Sequence, residues 1–248
     1  MPLPVLLVAW VVVALMGALG VRLLAQAHRL RSLPELLIGL FFVGASVGYA
    51  PGLVLQTLPN PSDAAALLAI AYVGIRVPPM TIVLFTWRVF RPRSRWALVL
   101  VVGLEGSMLA SSLAQGGPIT GGQALPAAFW VFVTTSALAL GWTAVEALWF
   151  YGVARRRVEL GLGDALVTNR FLLWSIWSGG ACIALLLKVI DTILKTGGPD
   201  FSPARTLIAC ASIAAGIATM GAMWLTFYPP RFYRRRFALP PEEPQDLK

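Results

Sequence analysis

Charged and metal-binding side chains are scarce in this chain of 248 residues. Only 12% of the residues are charged, and the chain has one histidine, His28, and two cysteines, Cys182 and Cys210. Both cysteines lie inside apolar segments, so neither a disulfide framework nor a His/Cys zinc site is expected. We therefore predict no metal and no cofactor.

Long polar segments are also missing, while 58% of the residues are hydrophobic. The short connections leave no room for a soluble domain that could carry catalysis or bind DNA. No nucleophile and base stand out as a pair, so we expect no enzyme. The net charge is +9. The basic residues lie mostly between apolar segments and at the C-terminus, so they are expected to orient the chain in a lipid bilayer rather than to bind nucleic acid.

Seven apolar stretches are long enough to cross a hydrocarbon core about 30 Å thick. The predicted fold is an all-α, polytopic membrane protein, a seven-transmembrane-helix bundle over residues 1–230. Residues 231–248 are predicted to be a basic juxtamembrane segment and a disordered, Pro-rich acidic tail. The longest cytoplasmic connection is expected at "ARRRVELGLGDALVTNR". The predicted spans are 3–25, 34–57, 65–90, 96–115, 127–153, 170–194 and 204–228.

Basic residues are distributed very unequally between the two sides of this bundle. By alternation of the spans, one side keeps only Lys195 and Arg205. The other side collects Arg22, Arg29, Arg31, Arg88, Arg91, Arg93, Arg95, Arg155, Arg156, Arg157, Arg170, Arg231, Arg234, Arg235, Arg236 and Lys248. Since cytoplasmic loops are enriched in Lys and Arg, this bias predicts an N-terminus outside and a C-terminus in the cytoplasm of a cell (inner or plasma) membrane.

Small residues and prolines predict how the helices pack. Gly44, Gly48 and Gly52 recur every four residues in the second span, as do Gly103, Ser107 and Ser111 in the fourth. Such stripes let a neighbouring backbone approach closely, within the bundle or at a homo-oligomer contact. Pro51, Pro78 and Pro79 should bend their helices and free backbone carbonyls.

Five ionisable residues fall inside the predicted spans: Arg76, Glu105, Glu146, Lys188 and Asp191. A charge near the centre of a span costs about 2.5–3.5 kcal/mol on insertion scales, so each needs a partner or water. Arg76 and Glu105 lie near the midpoints of the third and fourth spans, which form an antiparallel hairpin. We therefore expect these two side chains to meet.

The other three charges differ in their expected partners. Lys188 and Asp191 are three residues apart, share a helix face and can pair. Glu146 lies between Trp142 and Trp149 with no obvious cation at its depth, so its carboxyl group is expected to be protonated, because desolvation disfavours the charged form.

Two interpretations of these charges remain open. In one, all five are neutralised structural contacts between helices. In the other, they line a polar cavity with Tyr72, four residues before Arg76, and bind a ligand, an ion or a proton. Arg76 would then be a counter-ion or an anion ligand at a bend, held by Glu105.

Seven spans with an outside N-terminus and a mid-bundle arginine in the third span resemble the architecture of microbial rhodopsins and G-protein-coupled receptors. The seventh span, "TLIACASIAAGIATMGAMWLTFY", lacks the lysine that would hold retinal, since Lys188 is in the sixth. G-protein-coupled receptors carry an acidic-Arg-Tyr triplet at the end of helix three and an Asn-Pro-x-x-Tyr motif in helix seven. This chain has "FTWRVF" and "LTFYPP" in those places. Neither function is transferred. The stretch "LGLGDALVTNRFLLW" is similar to a pattern in uncharacterised bacterial seven-helix proteins, which implies no activity.

The sequence favours a sensor or receptor that binds a small molecule or lipid in its bundle and passes a helix rearrangement to a separate cytoplasmic protein. The alternative is a small-solute or proton-coupled transporter that uses the same charges.

The predicted orientation rests on sixteen basic residues against two. A reporter that is active only in the cytoplasm, fused to the C-terminus, should be active. A cysteine introduced near Gly121 should react with an impermeant thiol reagent added from outside. An inactive reporter with a protected cysteine would reverse the orientation.

Overall fold

The computed structural model describes residues 3–55, 57, 64–118, 125–197 and 203–233. Seven helices and no strand lie within these ranges. All seven helices are long and apolar enough to cross a membrane, which indicates a multi-pass membrane protein. The predicted disordered tail lies beyond residue 233, outside the described residues. The helices are α1 Leu3–Leu30, α2 Leu33–Leu55, α3 Ala65–Phe90, α4 Arg95–Gln115, α5 Ala127–Glu159, α6 Ala165–Gly197 and α7 Pro203–Phe227.

Three helices run well past the predicted spans. α1 continues to Leu30, α5 continues to Glu159, and α6 begins at Ala165. The apolar length of a span limits its depth in a bilayer but does not end the helix, and the added ends of α1 and α5 are rich in helix formers such as Ala, Arg, Gln and Glu. The Asp164 carboxylate accepts hydrogen bonds from the backbone N–H groups of residues 166 and 167, at 2.7 and 3.2 Å, and so caps α6. The connection predicted to be the longest is therefore short, covering only residues 160–164.

The helices pack mostly in chain order. α2 lies between α1 and α3, α6 lies between α5 and α7, and α3 contacts both α4 and α5. A small contact between α1 and α7 closes the ring. The α1–α2, α3–α4 and α5–α6 connections share one end of the bundle, which we call the basic face because residues 29, 31, 91–95 and 155–157 carry its arginines. The other end is called the opposite face.

Aromatic side chains fill the centre between the two groups of helices. Trp177 of α6 is fully buried, and its ring centroid lies 4.9 Å from that of Phe41 of α2. Trp174 stacks on Phe85 of α3 with the ring centroids 4.7 Å apart. These contacts join α2 and α3 to α6, so the two halves of the chain share one core.

The predicted glycine stripe of α2 is confirmed at Gly44 and Gly48. A Cβ atom added to Gly48 would lie 2.6 Å from the backbone nitrogen of Ile75, and one added to Gly74 would lie 2.5 Å from that of Gly48. Gly52 and Gly103 have no neighbour within 4 Å of such an atom. The close approach therefore joins α2 to α3 over one turn.

The prolines do not interrupt their helices. Pro78 and Pro79 are buried inside the continuous α3, and Pro51 lies inside α2. A proline has no N–H, so the two in α3 leave carbonyls of the preceding turn without their helical donors. The Thr81 hydroxyl donates to the carbonyls of Val77 and Pro78 at 3.1 and 3.0 Å, next to this interruption.

We predict that Gly74→Ala lowers the free energy of unfolding by about 1–3 kcal/mol, because the added methyl group would meet backbone that cannot rotate away. Gly103→Ala is the matched control, since both changes raise helix propensity but only one meets an obstacle. Thermal melting in detergent compares the two. Equal stability of both variants would contradict the close contact between α2 and α3.

Candidate functional site

The six side chains singled out from the sequence lie in four separate places. Arg76 and Tyr72 lie together where α3 meets α4, near the opposite face. Glu146 lies near the basic face on α5. Lys188 and Asp191 lie on the part of α6 that approaches the opposite face, and Glu105 lies on α4 away from Arg76. The predicted single cavity lined by all six is not what the described residues form.

Arg76 is held by α4 through side chains that the sequence did not indicate. Its Nε donates to the Ser112 hydroxyl at 2.9 Å, and one terminal nitrogen donates to the Gln115 side-chain oxygen at 2.8 Å. The other terminal nitrogen donates to the carbonyl of Tyr72 at 3.0 Å. Ser112 in turn donates to Met108, and Gln115 donates to the carbonyl of Gly117 at 2.9 Å. Both partners of the guanidinium are thus themselves held in place.

Two aromatic rings cover the Arg76 guanidinium. Its central carbon lies 3.3 Å from the centroid of the Tyr72 ring and 4.8 Å from that of Phe132 on α5. The Tyr72 hydroxyl donates to the carbonyl of Ser112 at 2.7 Å. Cation–π attraction strengthens as water is removed, so these rings stabilise the positive charge without neutralising it.

The predicted ion pair between Arg76 and Glu105 is wrong. Arg76 lies 14 residues before Phe90, where α3 ends, and the same number of residues into α4 leads to Leu109, not Glu105. Helical side chains also lean toward the N-terminus of their own helix. Because α3 and α4 are antiparallel, Arg76 leans toward the opposite face and Glu105 toward the basic face.

Glu105 is left with an unsatisfied oxygen. One carboxylate oxygen is fully buried and has no hydrogen-bond partner among the described residues. Glu105 lies seven residues before Ser112, about 10 Å along the helix axis. It shares the face of α4 that carries Val101 and Met108, both buried. A buried oxygen without a hydrogen-bond donor costs free energy, so this carboxyl group is the unsatisfied polar group of α4 among the described residues.

Glu146 has a cation partner, so the expectation that none lies at its depth is also wrong. Arg91, the residue that caps the end of α3, donates from Nε to both carboxylate oxygens at 2.9 and 3.0 Å. Trp142 donates from its indole nitrogen at 3.2 Å. Arg91 was counted as a loop residue, but its long side chain reaches inward to a carboxyl group that is 5% exposed.

The predicted pair of Lys188 and Asp191 is confirmed. The lysine nitrogen lies 3.5 Å from a carboxylate oxygen of Asp191. The Lys188 side chain is 65% exposed, so this pair contributes little to stability.

The chemistry available at Arg76 follows from its donors. A guanidinium has five N–H groups, and three of them are used by Ser112, Gln115 and the Tyr72 carbonyl. Within the described residues the other two have no acceptor, and no carboxylate pairs with the charge. A positive charge with two N–H donors left over is the chemistry that an anion such as a carboxylate would complement. No group of three or more His, Cys, Asp or Glu side chains that could hold a metal ion occurs in the described part of the chain.

Comparison of the chain with protein-family models, with curated proteins and with solved structures finds no match. The resemblance to uncharacterised bacterial seven-helix proteins therefore stays a prediction.

The corrected geometry predicts which side chains are energetically coupled. Losses in unfolding free energy for Arg76→Met and Glu105→Gln should add in the double variant. Those for Arg76→Met and Gln115→Leu should not add, with an interaction energy of about 1 kcal/mol or more, because the two groups share a hydrogen bond to a charge. Thermal melting of the single and double variants, purified in detergent, measures both double-mutant cycles. Coupling of Arg76 with Glu105 would contradict the contacts described here.

Proposed function

We propose that the protein is a sensor or receptor that binds a small anionic molecule at Arg76 and transmits the change along α3 to a separate cytoplasmic protein. One observation carries this proposal. An arginine inside a helix that can span a membrane is packed between two aromatic rings, has no carboxylate partner in the described structure, and keeps two N–H donors unused.

The chemistry of the guanidinium favours a carboxylate or a phosphate as the anionic group. Its planar N–H groups can donate two parallel hydrogen bonds to one such group, and charge-assisted hydrogen bonds are the strong ones. The Tyr72 and Phe132 rings favour a ligand with an apolar portion beside its anionic end. Ser112 is three residues, and Phe132 five residues, from the nearer end of its helix. In the predicted orientation a ligand would therefore come from outside the cell.

Transmission would use the continuity of α3. Arg76 is bonded to α4, and fifteen residues later Arg91 is bonded to Glu146 of α5. Between them, the hydroxyls of Thr86 and Thr143 lie 2.6 Å apart, both fully buried. A ligand that competes with Ser112 and Gln115 for Arg76 would change how α3 sits against α4. Because α3 continues as one helix past Pro78 and Pro79, a shift at Arg76 would be carried to Arg91.

A small-solute or proton-coupled transporter is the second candidate, and Glu105 is the observation that favours it. Its unpartnered buried oxygen lies about two turns of α4 from the Arg76 contacts, on the side toward the basic face. A carboxyl group that can take up and release a proton there would suit a coupled mechanism.

Both proposals place the protein in the lipid bilayer of a cell membrane, with the basic face toward the cytoplasm. Neither requires an enzyme activity or a cofactor. The hydroxyl that accepts from Arg76, that of Ser112, donates its own proton to the backbone carbonyl of Met108. It is therefore not paired with a base that could activate it as a nucleophile.

Ligand binding at Arg76 predicts a selective response to small anions. Purified protein in detergent should melt at a higher temperature with at least one of acetate, succinate, inorganic phosphate and benzoate, relative to chloride at the same ionic strength. An anion at about one hundred times its Kd would stabilise the folded protein by ~2.7 kcal/mol. Arg76→Gln should abolish the shift, and Arg88→Gln, which removes the same charge from an exposed position, should preserve it.

Reconstituted liposomes separate the two candidates. Uptake of the stabilising anion that depends on Glu105 and Arg76 would favour a transporter, and binding without uptake would favour a sensor. An equal melting shift in wild type and Arg76→Gln would contradict both.

A further inference from the structure

Arg91, at the basic face, has donors that its ion pair does not use. Only Nε bonds to Glu146, at 2.9 and 3.0 Å from the two carboxylate oxygens. The four N–H groups of the terminal nitrogens have no acceptor among the described residues. The Arg91 side chain is 29% exposed, so part of the guanidinium is accessible from outside the bundle.

Two half-exposed tryptophans stand beside this guanidinium. Its central carbon lies 4.6 Å from the centroid of the Trp149 ring and 5.8 Å from that of Trp96. These side chains are 52% and 53% exposed. Trp142 closes the inner side, with its ring centroid 6.2 Å from that of Trp96 and its N–H on Glu146. Tryptophan in such a position is typical of the boundary between lipid tails and headgroups.

The charge around Arg91 is unbalanced. Arg88, Arg93 and Arg95 lie within four residues of it and are all exposed. In the described structure only Arg91 of these four pairs with a carboxylate, and that carboxylate, Glu146, is buried. The surface beside the two tryptophans therefore carries an excess of positive charge.

Apolar surface leads away from this cluster along α4 and α5. Val99 is three residues after Trp96, and Val145 is four residues before Trp149, so each lies on the same helix face as its tryptophan. Their side chains are 73% and 67% exposed. A molecule bound at Arg91 would thus find an apolar path directed into the span.

We propose that Arg91, Trp96 and Trp149 bind the headgroup phosphate of an anionic phospholipid, with an acyl chain lying along Val99 and Val145. The unused guanidinium donors supply the hydrogen bonds to the phosphate, and the surrounding arginines attract the net negative charge. Free phosphate shares the headgroup chemistry but would leave the tryptophans and valines uncovered. The proposal does not depend on a ligand at Arg76.

The test counts phosphatidylglycerol bound to purified protein in detergent by native mass spectrometry, with phosphatidylcholine of the same acyl chains as the comparison. Wild type should retain phosphatidylglycerol selectively. Glu146→Gln should retain it at least as well, because it removes the carboxylate charge that competes with the phosphate for Arg91. Arg91→Gln/Glu146→Gln, which removes both charges together, should weaken binding by about tenfold or more, as expected for the loss of charge-assisted hydrogen bonds.

Arg88→Gln/Glu146→Gln is the matched control, since it has the same net charge but keeps the Arg91 donors, and it should bind phosphatidylglycerol more tightly than Arg91→Gln/Glu146→Gln. Arg91→Lys keeps the positive charge for Glu146 but loses the planar donors, so it should fold and bind more weakly than wild type. Equal losses in the two double variants, equal binding of phosphatidylcholine, or full displacement of phosphatidylglycerol by an equal concentration of inorganic phosphate would each overturn the lipid site.

Discussion

Hydrogen bonds from the Arg76 guanidinium to Ser112 and Gln115 fix how α3 lies against α4. Water is absent from the hydrocarbon core, so each unmet donor costs several kcal/mol. Three of the five N–H groups have acceptors: Ser112 and Gln115 on α4, and the Tyr72 carbonyl on α3 itself. The two bonds to α4 hold the helices in the register that the structure shows. The Tyr72 hydroxyl bonds to α4 in the same turn and reinforces that register.

The other side of α3 is fixed by close packing. Gly74 contacts the backbone of Gly48 on α2, and Arg76 is two residues further, roughly 200° around the helix. The face of α3 at Gly74 is therefore packed too closely against α2 to move. The opposite face carries Arg76, two of whose N–H donors have no acceptor among the described residues. This contrast is why the proposed function places the ligand at Arg76. At the C-terminal end of α3, Arg91 is bonded to Glu146 of α5; in the proposed function this end carries the output.

Much of the fold could be predicted from the sequence, because apolar length and loop composition are local properties. The bounds predicted for the third span are those of α3, and those of the fourth span differ from α4 by one residue. Helix ends outside the apolar region were missed at α1, α5 and α6, since polar helix formers such as those of "VARRRVEL" extend a helix without any apolar signal. The α2 glycine stripe was correctly predicted at Gly44 and Gly48, since a four-residue repeat directly implies a shared face.

The partners of the buried charges were harder to predict, because they depend on register and on side-chain direction. Arg76 and Glu105 were paired because both lie near the midpoints of their predicted spans. Counting residues outward from the α3–α4 turn, and allowing for the direction in which each side chain leans, places Arg76 closer to Ser112. Gln115 and Ser112 are uncharged and gave no signal of their own. Arg91 was assigned to a loop, and only the fold reveals that it reaches Glu146. Lys188 and Asp191 were predicted correctly because the pair lies within one helix turn.

The contact between Arg76 and Ser112 is the most direct test of this account. Solid-state NMR of protein in lipid, with 15N-labelled arginine side chains and 13Cβ-labelled serine, measures their dipolar coupling. The Nε–Oγ distance of 2.9 Å places Nε close enough to the serine Cβ for a measurable coupling, which should disappear in Ser112→Ala and survive in Glu105→Gln. With 13Cδ-labelled glutamate instead, an arginine–carboxylate coupling that Glu105→Gln removes would contradict it.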